Sequence, residues 1–232
     1  MKKRVSYFSR FEIMLWIVSV FLIAASFCIF DRTYYLTLLA SVIGVTSLLF
    51  NAKGNPFGQL LMVIFSLLYG VISYGFTYYG EMITYLGMTM PMAIFALISW
   101  LKNPYQGNRA EVEVNTLTRR ECIWMWIATA MVTVIFYYIL DFFHTVYLLP
   151  GTLSVTTSFL AVYLTFRRSP YFALAYAAND VILIVLWTLA ACSDIRYISV
   201  VVCFAAFLLN DLYGFFSWRS MKKRQQRCSL LP

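Results

Sequence analysis

Eight apolar runs, each about as long as a bilayer is thick, constrain this chain more than any other feature. They lie at Phe11 to Phe30, Tyr34 to Phe50, Pro56 to Tyr79, Ile83 to Trp100, Cys122 to Leu140, Gly151 to Phe166, Tyr171 to Ala191 and Tyr197 to Trp218. A helix rises about 1.5 Å per residue, so about 20 apolar residues cross a hydrocarbon core of about 30 Å. Of 232 residues, 62% are hydrophobic and only 12% charged, which is more apolar surface than a water-soluble domain displays. The chain is therefore expected to be an all-α integral membrane protein with eight transmembrane helices. The first run is long, lacks a small-residue cleavage site and is followed at once by a second, so it is kept as a spanning helix and not read as a signal peptide.

The basic residues orient the bundle, because translocating Lys and Arg is unfavourable. With the N-terminus inside, the cytoplasmic segments hold Lys2, Lys3, Arg4, Arg10, Lys53, Lys102, Arg109, Arg119, Arg120, Arg167, Arg168, Arg219, Lys222, Lys223, Arg224 and Arg227, leaving only Arg32 and Arg196 outside. Both termini are expected to be cytoplasmic. The net charge of +8 then reflects topology and calls for no nucleic-acid partner, although the cluster from Arg219 to Arg227 also suits membrane lipid with anionic headgroups. Cys28, Cys122, Cys192, Cys203 and Cys228 show no paired spacing and imply no disulfide framework.

An internal repeat organises the spans. Val45 to Leu49 precede Pro56 and Thr156 to Leu160 precede Pro170; each stretch then runs through two further spans to a Ser-Trp pair, Ser99 with Trp100 and Ser217 with Trp218. Three spans per copy with one span between them give both copies the same orientation, a parallel repeat about an axis along the membrane normal. The expected segments are 1–33 (N-terminal segment and an extra helix outside the repeat), 34–100 (first three-helix repeat), 101–141 (cytoplasmic loop and linker helix), 142–218 (second repeat) and 219–232 (basic cytoplasmic tail). Transporters of such a build bind their substrate near the midplane, between the copies.

The acids inside the spans are not repeated. Asn179, Asp180 and Trp187 are echoed by Asn210, Asp211 and Trp218, whereas the first copy has Phe65 with Ser66 and Met92 with Ala93 at those places. A carboxylate at mid-membrane costs roughly 2.5 to 3.5 kcal/mol on insertion scales, so two of them suggest a buried polar site. Asp180 lies ten residues past Pro170, roughly 15 Å deep at about 1.5 Å per residue, and the returning helix brings Asn210 and Asp211 to a comparable level or somewhat deeper into the cytoplasmic half. Trp187 suits either the pocket or the headgroup belt; Trp218 is expected in the belt. Asn and Asp side chains also cross-link helices by hydrogen bonds, which is the competing role for all four polar residues.

Other chemistry is missing. His144 is the one histidine and is expected in an outer loop, so a His-based metal site or a Ser and His pair lacks partners; there is no phosphate-binding loop, no cofactor signature and no catalytic residue to name. Gly70, Gly75 and Gly80 suit close helix packing.

The stretches Ser47 to Phe50, Asn51 to Phe57 (NAKGNPF), Tyr78 to Met90 (YYGEMITYLGMTM), Trp100 to Asn108 (WLKNPYQGN), Arg167 to Asp180 (RRSPYFALAYAAND) and Asn210 to Trp218 (NDLYGFFSW) together resemble the PnuC nicotinamide riboside transporters of bacteria over nearly the whole chain. The resemblance implies a three plus one plus three arrangement like that of the SWEET sugar transporters, a homotrimer in the bacterial inner membrane, and facilitated diffusion of the riboside, trapped inside through phosphorylation by a cytoplasmic riboside kinase. That substrate is a planar pyridinium cation with a carboxamide and a ribose, which an aromatic face, a carboxylate and an Asn amide suit, while an acidic pocket disfavours the phosphorylated mononucleotide. A ring-bearing vitamin such as thiamine or riboflavin remains an alternative, as does a scaffold or sensor that transports nothing. From the first copy Gln59, Tyr69, Ser73, Tyr74 and Tyr85 are the candidate wall residues, chosen for polarity within a span. Glu81 is expected at the outer end of its span, as a gate or in a solvated loop.

Overall fold

The computed structural model describes residues 7–75 and 79–229; Lys2, Lys3, Arg4 and Tyr78, used above, lie outside the described residues. Eight helical segments among them are long and apolar enough to cross a membrane: Arg10–Asp31, Tyr35–Ala52, Pro56–Gly75, Tyr79–Lys102, Arg119–Phe142, Leu148–Phe166, Phe172–Ala191 and Ile195–Cys228. The first is α1 (Arg10–Ser26) closed by a π-helical turn (Phe27–Asp31), and α2 (Tyr35–Ala52) and α3 (Pro56–Gly75) follow. The fourth joins α4 (Tyr79–Ile83), a π turn (Thr84–Thr89) and α5 (Met90–Lys102). Pro91 lacks the N–H that a regular α ladder needs there, and a π turn is one way to absorb the break. Next come α6 (Arg119–Phe142), α7 (Leu148–Phe166), α8 (Phe172–Ala191) and α9 (Ile198–Ser229), the last approached through a 3-10 turn (Ile195–Tyr197).

Because the spans alternate in direction, every described Lys and Arg except Arg32 and Arg196 falls at one end of the bundle, hereafter the basic end. The basic tail is no separate segment, since α9 runs through it unbroken to Ser229. Between α5 and α6 the chain makes a hairpin, β1 (Pro104–Tyr105) against β2 (Asn108–Val112). Its turn puts Gln106 at φ 48° and Gly107 at φ 77°, the left-handed pair that a tight hairpin turn requires. The hairpin straps the basic end together: Val112 N–H donates to Gly54 O (2.9 Å), Glu113 N–H to Asn103 O (2.9 Å) and Asn115 N–H to Arg168 O (3.0 Å). Gln225 of α9 is buried beneath it, accepting from Val114 N–H at 2.9 Å and donating to Val112 O at 3.1 Å.

Helix contacts close a ring. In one trio α3 packs on both α2 and α5, in the other α8 packs on both α7 and α9, and the trios meet where α2 touches α9 and α5 touches α7. Those two seams carry the same bonds. Ser99 Oγ donates to Phe166 O (3.0 Å) and Trp100 Nε1 to Thr165 O (2.9 Å); Ser217 Oγ donates to Ala52 O (2.7 Å) and Trp218 Nε1 to Asn51 O (2.7 Å). This register aligns Asn51 with Thr165 and Pro56 with Pro170, and sets the Thr156 to Leu160 run about one turn away from its apparent counterpart at Val45 to Leu49.

The likeness extends one helix beyond each trio. Both α1 and α6 start in a capping box, Ser9 with Glu12 and Thr118 with Glu121. Each capping glutamate then pairs with the basic residue that ends the next helix, Glu12 with Lys53 (2.8 Å) and Glu121 with Arg167. The helix expected as an addition and the helix expected as a linker are thus held in the same way. The rest of α6 packs chiefly on α7 and presents Trp124, Trp126, Met131 and Tyr138 outward.

Candidate functional site

The two acids meet in the centre of the ring. Asp180 on α8 and Asp211 on α9 are 3% and 4% exposed, and their carboxyl groups face each other at hydrogen-bonding range. Asp180 Oδ2 is buried without a hydrogen-bond partner. Tyr176 lies beside both acids, and Tyr85 and Cys203 lie near Asp180. The residues in register with them in the first trio are small: Ala93 is 3% exposed, and Ser66, fully buried, has an Oγ with no partner. Two carboxyls facing in an apolar interior repel one another when both are charged, so the centre favours a bound positive charge.

Above the acids, toward the end opposite the basic one, aromatic rings stack into a wall. Tyr69 and Tyr85 have centroids 4.4 Å apart; Phe65 touches both, and Phe204 and Phe207 complete the cluster. Trp187 is 4% exposed and lies 5.3 Å from the ring of Tyr197. With Tyr69, Ser73, Tyr34, Asp194 and Arg196 it lines a narrow cavity of about 20 Å³. Asp194 is the N-cap of the 3-10 turn and receives Arg196 at 2.6 Å, a contact that holds its carboxyl below the usual carboxylate range. The guanidinium of Arg196 also sits 5.9 Å from the Tyr34 ring. Of the two places open to Trp187, the structure puts it in the cavity wall.

The other polar residues divide between site and scaffold. Asn179 Oδ1 receives three hydroxyls of α7, Ser154 (3.2 Å), Thr157 (2.9 Å) and Ser158 (3.1 Å). Asn210 turns away from the centre, donating to Ser19 of α1 (2.9 Å) and to Ala206 O (2.8 Å). Gln59 donates to Asn51 Oδ1 (2.8 Å) near the basic end, in a buried chain that continues to Ser47 and Gly58 O. Ser73 lines the cavity, Tyr74 is 63% exposed on the outside of the bundle, and Tyr85 belongs to the aromatic wall. Trp218 is not in the headgroup belt. It is fully buried, 5.3 Å from Trp100 and 4.9 Å from Phe172, because its indole N–H spans the seam to Asn51 O.

The sequence left Glu81 between a gate and a solvated loop, and it missed one group outright. Glu81 is neither in a solvated loop nor isolated, since it is partly buried against the Tyr69 hydroxyl. Ser154, Thr157 and Ser158 form the cradle of Asn179; their spacing of three and four residues, which puts them on one helix face, was the available signal. The basic end beneath the acids is sealed by Trp100, Trp218, Phe172 and Leu164.

Similar proteins agree with this architecture. A crystal structure of the vitamin B3 transporter PnuC superposes with a TM-score of 0.79 over 94% of each chain at 24% identity, which establishes the shared fold. The nicotinamide riboside transporter PnuC of Neisseria mucosa is 27% identical over 216 residues, 90% of this chain and 81% of the relative. That of Haemophilus influenzae is 23% identical over 191 residues, 82% and 81%. The family model described as nicotinamide mononucleotide transporter matches residues 34–220, from the turn before α2 to just past Trp218. An eight-span bundle with this fold and that match over most of its length is a membrane transporter and no enzyme, and the chain belongs to the nicotinamide mononucleotide transporter family.

Proposed function

We propose that the protein carries nicotinamide riboside across a bacterial inner membrane by facilitated diffusion. The observation that carries this reading is the buried Asp180 and Asp211 pair, with its unpartnered Oδ2, lying under an aromatic cavity. A pyridinium ring suits Trp187 and Tyr69, by stacking and by cation–π attraction of about 0.5 to 2 kcal/mol. Its charge and its ribose hydroxyls suit the two carboxyls. The named relatives point to the same substrate.

Substrate approaches from the end opposite the basic one and leaves once the Trp100 and Trp218 seam opens. By the positive-inside rule the basic end is cytoplasmic, so both termini are too, and the direction is uptake. Ion coupling is unnecessary where a cytoplasmic riboside kinase removes the free substrate. The outward aromatic face of α6 suits contact with neighbouring copies in a homotrimer. The mononucleotide of the family description is a second reading, disfavoured because its phosphate would meet two carboxylates.

The test is calorimetric titration of the purified protein with nicotinamide riboside, the mononucleotide, thiamine and riboflavin. Saturable binding of the riboside, weakened tenfold or more in Asp180→Asn, is the expected result. Preference for the mononucleotide or another vitamin would replace the substrate, and binding of none by folded protein would sink the transporter reading in favour of a scaffold.

A further inference from the structure

A second and larger cavity, of about 130 Å³, opens beside the first at the same end of the bundle. Its walls come from α4, the end of α6, α7 and α8, and include Tyr79, Glu81, Tyr85, Tyr147, Ser154 and Ser158. The first cavity is walled by the end of α1, α2, α3, α8 and the start of α9. Exchanging the halves of the molecule by the seam register, which pairs α1 with α6, α2 with α7 and α3 with α8, carries the walls of the first onto those of the second except for Trp187, whose place on α3 lines no part of the second. The two are counterparts on either side of the Tyr69 and Tyr85 pair. Tyr69 faces the first, Tyr85 the second, and their contact at 4.4 Å is the partition.

The chemistry of the second cavity is selective. Its lining holds Glu81 and His144 and no Lys or Arg, whereas the first holds Asp31 and Asp194 with Arg196 paired to Asp194. Glu81 Oε2 is buried and has no hydrogen-bond partner. A carboxylate oxygen withdrawn from water and unmet by a donor favours a cation, and the phenol rings of Tyr79, Tyr85 and Tyr147 offer it π faces. The floor reaches the machinery already described, since Ser154 and Ser158 both donate to Asn179.

We infer that the cavity bounded by Glu81, Tyr85 and Tyr147 is a second binding site for a flat organic cation, filled independently of the Trp187 cavity, so that one chain holds two solute molecules on its open side. This rests on the riboside reading of the first cavity. A solute waiting at Glu81 is one aromatic ring away from the central acids, so a movement of Tyr85 would admit it.

The test is the stoichiometry of nicotinamide riboside binding per chain, by calorimetry on the full-length protein, with Glu81→Gln and Val146→Trp as variants. Val146 lines the second cavity only and is 62% exposed, so a larger ring there obstructs the cavity without crowding the core, and it keeps the test alive where Glu81→Gln fails to fold. Two sites per chain, reduced to one by either substitution while Trp187→Ala removes the other, is the expected result. One site that neither substitution changes would overturn the inference and leave the riboside reading standing. One site abolished by both would mean a single continuous cavity and would also overturn it. No binding by the unsubstituted, folded protein would remove the riboside reading, and this inference with it.

Discussion

At the basic end the two halves of the molecule are alike, and at the open end they differ. The basic end repeats its bonds: two Ser hydroxyls and two indole N–H groups cross two seams to backbone carbonyls, and two capping glutamates reach the ends of neighbouring helices. Toward the centre and the opposite end the likeness dissolves. Asp180 faces Ser66 across the register, Asp211 faces Ala93, and Trp187 corresponds to Ser73. The bonds that hold the halves together are kept in duplicate, while the groups that would meet a solute are distributed singly. A symmetric lining would present the same chemistry twice to a substrate with two unlike ends, a pyridinium carboxamide and a ribose. An asymmetric lining on a symmetric frame can meet both.

The largest expected effect is at the seams. Trp100→Ala and Trp218→Ala each empty a fully buried indole site, where such truncations cost about 3 to 5 kcal/mol, and each should lower the thermal midpoint in detergent by a similar amount. Equal losses support matching roles for the seams, whereas a loss confined to one would break the comparison. Trp100→Phe and Trp218→Phe keep most of the packing and remove one buried hydrogen bond, so each should cost about 1 kcal/mol.

Asp180→Asn comes next. It removes a charge in the centre and leaves the volume, so binding of a cationic ligand should weaken by about 1.5 to 3 kcal/mol, or roughly ten- to hundredfold in Kd, with the thermal midpoint unchanged or raised. Raised stability is the informative half, because two buried carboxyls side by side, one of them with an unpartnered Oδ2, destabilise the empty protein. If Asp180→Asn instead unfolds the chain, the acid pair is a structural cross-link and the asymmetry of the centre has no bearing on ligands.

The legibility of these features in the sequence follows the same division. Span number, alternation and the position of the basic residues depend on local composition, and each apolar run coincides with a helix of the bundle. That Asp180 and Asp211 share one level followed from counting residues from helix ends. Side-chain direction on α8 and α9 did not follow, because hydrophobicity is nearly uniform around those helices and gives no face. Asn179 and Asn210 precede their acids identically, yet one lies in a hydroxyl cradle on α7 and the other bonds Ser19 on α1. Tyr74 and Ser73 are adjacent in sequence and face lipid and cavity respectively. Trp218 looked like a belt residue because it ends a span; only the tertiary contact with Asn51 O shows why an indole is needed there. Glu12, the matching partner of Glu121, was hidden because the apolar run was begun one residue before it and its counterpart lies just ahead of Cys122.

The smallest expected effect separates Asn210 from the site. Its amide donates to Ser19 and to Ala206 O, and hydrogen bonds between membrane helices average about 0.6 kcal/mol in coupling measurements, so Asn210→Ala should lower stability by about that amount. Riboside binding should stay within about twofold, since a change of about 1.4 kcal/mol is needed for tenfold. Ser19→Ala should lose no more than this, and the double variant no more than Asn210→Ala, because the bond between the two side chains is removed by either substitution while the bond to Ala206 O is lost only with Asn210. Tenfold weaker binding in Asn210→Ala alone would mean that α1, through this bond, sets the position of Asp211, and that the helix lying beyond the trio takes part in shaping the asymmetric centre.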